Sequence, residues 1–130
     1  MNATVDATVE LKSLHQLVPM AFVQDVERSI GFYERLGFRV ERAEGKPGTR
    51  VWVWLSNGGA HLMLAVGSRP SSAGAQDILL ALYTDEIVEY RKGLIARGVD
   101  VGPLTYPEYL PKGQFRIADP DGFDLSVVGR

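Results

Sequence analysis

The chain has 130 residues, 45% hydrophobic and 23% charged, with a formal net charge of −2, which suits a single domain with one buried core. Its basic residues are scattered, which excludes a general electrostatic pull toward nucleic acid or an anionic membrane, and no apolar run approaches the roughly 18 residues that span a bilayer. Without cysteine, disulfides, zinc–thiolate sites and thiol nucleophiles are excluded.

Residues 1–13 alternate weakly (Val5, Ala7, Val9, Leu11) and read as an arm; Met1 to Asp6 has neither a basic nor an apolar signal region, so a cytoplasmic protein is expected. From Leu14 to Val23 the mostly apolar run predicts a strand, with Pro19 pointing to a sheet edge or bulge. Asp25 stands at a helix N-cap position, Val26, Ile30, Tyr33 and Leu36 recur at helical spacing, and Gly37 supplies the stop. A short strand is predicted from Phe38 to Glu41. Two longer ones follow, from Arg50 to Ser56 and from Ala60 to Val66, joined at Asn57-Gly58-Gly59.

Small polar residues at 68–76 read as a linker, after which the order repeats. A strand is predicted from Ile78 to Tyr83, then an N-cap at Asp85, a stripe of Ile87, Tyr90 and Leu94, and a stop at Gly98. A short strand from Val99 to Val101 and a longer one from Gln114 to Ala118 come next. The turn Asp119-Pro120-Asp121-Gly122 then leads into a last strand from Phe123 to Val128. The fold class is therefore α+β: two βαβββ repeats forming a cupped mixed sheet with helices on the outside. Residues 14–130 make one domain, with halves at about 14–67 and 77–130.

Two segments carry a family resemblance. The run Val23 to Phe38 (VQDVERSIGFYERLGF) is similar to the first strand–helix–strand unit of the vicinal oxygen chelate superfamily, which includes glyoxalases, bleomycin-resistance proteins and extradiol dioxygenases. Phe115 to Phe123 (FRIADPDGF) resembles that family's final hairpin, and the likeness runs from about residue 14 to the end. Both segments cap a helix or make a turn, so they speak for the fold and not for chemistry. Metal-dependent members hold a divalent ion with His and Glu from four strands. The matching positions here are Val18, Met63, Ile78 (within one residue) and Ser126, which offer no hard ligand set. The resemblance thus implies no cofactor and no metal, closest in character to the bleomycin-resistance branch.

Strand alternation puts Met20 and Phe22 on the face of Val18, His61 on that of Met63, and Asp124 on that of Ser126. These residues are the expected lining of a ligand cavity, with Glu108 and Tyr109 from the Pro-stiffened loop Tyr106 to Gly113 and Arg116 as further candidates. His61 and Asp124 with Glu108 would be a conceivable relocated metal site; the plainer reading makes His61 a hydrogen-bonding residue near the hairpin end. Trp52 and Trp54 share a face, and whether they look into the cup or at the helices depends on the length of the turn between the strands. The loop tyrosines read equally as a lid or as ordinary exposed residues. No Ser–His–acid spacing and no phosphate-binding loop stand out, so no catalytic residue is assigned.

The expectation is a small-molecule-binding protein that sequesters a flat or partly cationic organic ligand, forms a homodimer, and has no nucleic-acid or membrane partner. The alternatives are a lyase, isomerase or dioxygenase of the same superfamily with relocated ligands, or a sensor or accessory dimerisation domain.

Overall fold

The computed structural model describes residues 8–67 and 78–130; the expected linker and the first part of the arm lie outside them. The elements are β1 (Met20–Val23), α1 (Val26–Arg35), β2 (Arg39–Glu44), β3 (Trp52–Asn57), β4 (Ala60–Val66), β5 (Leu79–Thr84), α2 (Ile87–Ala96), β6 (Gln114–Ala118) and β7 (Asp124–Gly129). They build two small mixed sheets, of order β1-β4-β3-β2 and β5-β7-β6, each with one parallel pair and its helix on one side. The architecture is α+β.

Local chemistry explains the start of the first half. Asp25 has extended backbone, and its carboxylate accepts from the Arg28 N–H at 3.2 Å, which satisfies one free donor of the first turn. Val26, Ile30, Tyr33 and Leu36 are buried, as their spacing predicts. Gly37, at φ 94°, ends the helix in the left-handed conformation that glycine adopts without steric penalty, and the Phe38 N–H returns to the Tyr33 carbonyl.

Glu27, on the outer side of the same helix, accepts from the Arg50 backbone N–H and from both arms of its guanidinium at 2.8–3.0 Å. Those bonds pull the Glu27 carboxyl from 4.5 to about 2.

The β3–β4 turn has two residues, Gly58 and Gly59, with Asn57 opposite Ala60 and Gly58 at φ 57°. That register decides which residues share a face. Leu62, Leu64, Val53 and Leu55 are buried beneath the helices, so Met63, His61, Trp52 and Trp54 stand on the opposite, open face.

Three expectations need correction. The first strand starts at Met20, not Leu14: residues 14–17 are exposed, and pairing begins where the Pro19 carbonyl accepts from the Met63 N–H. The predicted strand at Val99–Val101 is not formed. Its Val99 N–H turns back to the Leu94 carbonyl, and only Gly102 and Thr105 reach the edge of β6, so the second half is βαββ. Asp85 does not cap α2. Glu86 occupies the cap position without a side-chain bond, its N–H is taken by the Thr84 hydroxyl at 3.2 Å, and Asp85 pairs instead with Arg130 on the surface.

The halves join on the helical side through polar bonds that span the sequence. Asp121 accepts from the Gln24 N–H and the Ser29 hydroxyl and pairs with Arg28. Asp119 accepts from the Tyr33 hydroxyl at 2.8 Å and from the backbone of Asp121 and Phe123. Burial, reinforced by the Asp119 charge, pushes the Tyr33 hydroxyl far above the phenol range, and burial also raises the Asp119 carboxyl. At the other end of α1 the Tyr90 hydroxyl donates to the Leu36 carbonyl at 2.7 Å. One apolar core runs through both halves.

Candidate functional site

The open face of the first sheet gathers Met20, Phe22, His61 and Met63 of the predicted residues. Parallel pairing sets Met20 beside Met63 and Phe22 beside Ala65, and β3 places Trp54 opposite Met63 and Trp52 opposite Ala65. Phe22 is 55% exposed and Met20 is also exposed, while Met63, Trp52 and Trp54 are half-buried, so this is an apolar, aromatic surface that the described chain leaves partly uncovered. Val18 lies half-buried just before the strand. The orientation of the two tryptophans, open in the sequence, is fixed by the two-residue turn.

Polar groups concentrate at the hairpin end of that face. The Ser56 hydroxyl lies 2.7 Å from His61 Nδ1, and the Trp54 indole N–H reaches both, at 3.2 and 3.3 Å. The Arg42 guanidinium sits 4.7 Å from the Trp54 ring centroid, a cation–π contact. Sequence reasoning missed this cluster. Its signal was the hairpin register, since Ser56 and His61 face each other across a two-residue turn. It is not a nucleophile arrangement: Ser56 is only 3% exposed, and among the described residues no carboxylate bonds to the imidazole.

The remaining candidates belong to the second sheet or the loop. Asp124 and Ser126 share the open face of β7, with Ser126 opposite Ala81 and Arg116. Ser126 is buried and donates to Gln114 Oε1 at 3.5 Å, while Asp124 and Arg116 are exposed. Glu108 and Tyr109 lie exposed on the loop before β6 and make no side-chain hydrogen bond or ion pair to either sheet.

The structure thus sorts the predicted residues into two groups on two sheets and a separate loop. Ile78 precedes β5, and strand alternation puts its neighbour Leu79 on the open face, which is no better a ligand for a hard cation. Among the described residues no group of three or more His, Asp or Glu side chains comes together so as to hold a metal ion, so the trio of His61, Asp124 and Glu108 is not assembled. A separate groove of about 350 Å³, unforeseen from sequence, lies between the end of α1 and α2, lined in part by Arg35, Asn57, Glu89, Tyr90 and Arg97. No helix among the described residues is long and apolar enough to cross a membrane.

Comparison with known proteins fits this architecture. A bleomycin-binding protein in complex with bleomycin is similar over 90% of this chain and 99% of its own, with a TM-score of 0.76 at 20% identity. A bleomycin resistance determinant encoded on the transposon Tn5 aligns over 90% of this chain and 98% of its own, with a TM-score of 0.74 at 20% identity. TnmS3, an antibiotic-binding protein from Streptomyces sp. CB03234, covers 92% of this chain and 98% of its own, with a TM-score of 0.70 at 24% identity. Among curated proteins none matches by sequence. The model of the Glyoxalase/Bleomycin resistance protein/Dioxygenase superfamily matches residues 13–127, nearly the whole chain, and the protein belongs to that superfamily.

Proposed function

We propose that this protein binds a flat organic molecule on its open sheet faces and sequesters it unchanged, without a metal or other cofactor. The observation that carries the reading is the open-face set of exposed Met20 and Phe22 with half-buried Met63, Trp52 and Trp54, apolar and aromatic with polar anchors at one end. The positions matching the family's metal ligands are Val18, Met63, Ile78 or Leu79, and Ser126, a set that suits contact with a ligand better than coordination of a hard ion. Structural neighbours that bind bleomycin or another antibiotic make aromatic antibiotics the first compounds to try.

The binding unit in this reading is a homodimer. The arm carries Leu11, Leu14 and Leu17, each at least 86% exposed, and the open faces add Leu79 and Tyr83; a second copy of the chain would cover both and complete the cup.

The test is direct. Protein purified without chelator or affinity-tag metal is assayed by elemental analysis, thermal shift and light scattering, with bleomycin and a panel of aromatic antibiotics. The proposal expects no stoichiometric metal, a melting temperature raised by at least one compound and unaffected by chelator, a dimer, and bound compound recovered unchanged by mass spectrometry. Stoichiometric metal with a chemically altered compound would establish the enzyme alternative instead.

A further inference from the structure

The Ser56–His61–Trp54 triangle determines which imidazole nitrogen carries the proton. An indole N–H can only donate, and at 3.2 and 3.3 Å it is shared between Ser56 Oγ and His61 Nδ1. Were Nδ1 protonated, its hydrogen would confront the indole hydrogen. The buried Ser56 hydroxyl would then have to accept from both and leave its own proton without a partner. With Nδ1 unprotonated every group is satisfied: the Ser56 hydroxyl donates to Nδ1 at 2.7 Å, and the indole proton bridges the two acceptors. The neutral ring then carries its proton on Nε2, which has no hydrogen-bond partner among the described residues.

From this we infer that His61 is a fixed hydrogen-bond donor on the open face, and that the site selects a planar ligand presenting an acceptor oxygen there: a carbonyl, carboxylate or phenolate. The inference rests on the binding reading above and adds the ligand's chemistry to it. Trp54 and Ser56 are positioning residues, since they act by holding the tautomer. Arg42, stacked on the Trp54 ring, adds a positive charge on the same strand register and occupies the aromatic face that a cationic ligand would otherwise use. An acceptor, not a cation, is the complement of this end of the sheet, which reverses the partly cationic preference expected from composition of the face alone.

Two measurements on the intact protein test this. A long-range proton–nitrogen NMR spectrum of the histidines reports the tautomer without any ligand. The expected result is an unprotonated Nδ1 on His61, with Trp54→Phe allowing the other tautomer to appear; a protonated Nδ1 in the unaltered protein overturns the inference. Tryptophan fluorescence then compares naphthoate with naphthylmethylammonium, two flat probes of similar shape and opposite hydrogen-bonding character. Naphthoate should bind about tenfold more tightly, the weight of one well-placed hydrogen bond. His61→Gln, which keeps an N–H donor near the Nε2 position, should retain the preference, and His61→Phe should reduce it to the part that the Arg42 charge supplies. Equal binding of both probes leaves the small-molecule reading standing and overturns this inference alone. Failure of both probes to bind overturns this inference, and failure of the antibiotic panel as well overturns the reading with it.

Discussion

The two halves of this chain follow one sequence plan and finish it differently. The first has a capped helix and four strands, and its inward residues Val53, Leu55 and Leu64 are completely excluded from solvent. The second, among the described residues, has three strands and a helix without a side-chain cap; its inward residues Phe115, Leu125 and Val127 are as buried as those of the first half, but Leu80 and Leu82 on its edge strand β5 are only partly buried. A repeat in the order of turns and stops therefore specifies topology without specifying equal packing. The open face of the more fully packed half is the one that gathers tryptophans, methionine and an oriented histidine, as expected if a binding surface needs a rigid support.

The contrast is sharpest in the core. Leu64→Ala should destabilise the fold by roughly 2–5 kcal/mol, the range for emptying a fully packed site, and Leu82→Ala by only roughly 1–2 kcal/mol because its surroundings are already partly open. Urea unfolding measures both, and equal losses would remove the asymmetry.

The strut between the halves comes next. Asp119→Ala takes the acceptor from the Tyr33 hydroxyl and from two backbone N–H groups, so a loss of roughly 2–4 kcal/mol is expected. A change within about 0.5 kcal/mol in the same assay would mean that the halves do not depend on this joint.

Helix starts give a smaller effect with opposite expectations on the two sides. Asp25→Ala should cost about 1 kcal/mol, since its carboxylate receives the Arg28 N–H. Asp85→Ala should lie within about 0.5 kcal/mol, because among the described residues its side chain makes only an exposed pair with Arg130. Equivalent losses at the two positions would restore the symmetric plan.

The pH response is the subtlest comparison, and its sign differs between groups. Glu27 is held at about 2 against an ordinary 4.5, so its pairing with Arg50 stabilises the fold fully above 4.5 and is lost as pH falls toward 2. Asp119, raised by burial, acts the other way: it favours the fold when protonated, and that contribution fades as pH rises above 3.8. Unfolding midpoints followed from neutral to acid pH should therefore drop less steeply at the acid end in Glu27→Gln. An unchanged acid limb in that variant would show that the Glu27–Arg50 pair carries no net stability.

What was legible in the sequence is what local chemistry decides. The α1 cap at Asp25, the stop at Gly37, the Gly58-Gly59 turn and the strands Ala60–Val66 and Gln114–Ala118 all follow from a few adjacent residues, and the structure has them. The face carrying Met63 and His61 follows from alternation once the turn length is known. Contacts between distant segments were not legible. Asp85 looks like a cap until Arg130 arrives beside it, and Asp119 and Asp121 read as turn formers although they also tie the final hairpin to α1. Val99–Val101 has strand composition, but its backbone is drawn back to the helix end, so composition alone misplaces it. The Ser56–His61–Trp54 triangle lies between these cases: its residues are close in sequence, but only the register brings them together.

The central claim, a ligand held on the open face of the first sheet, is tested most directly by mapping where a flat probe binds. Protein labelled at methionine and leucine methyls and at tryptophan indoles is titrated with naphthoate and followed by NMR. The account predicts saturable shifts at Met20, Met63, Trp52 and Trp54, with the methyls of Leu62 and Leu64, on the opposite face, nearly still. Shifts confined to the groove beside Leu36 and Leu94 between the helices, with the open-face signals unmoved, would contradict it.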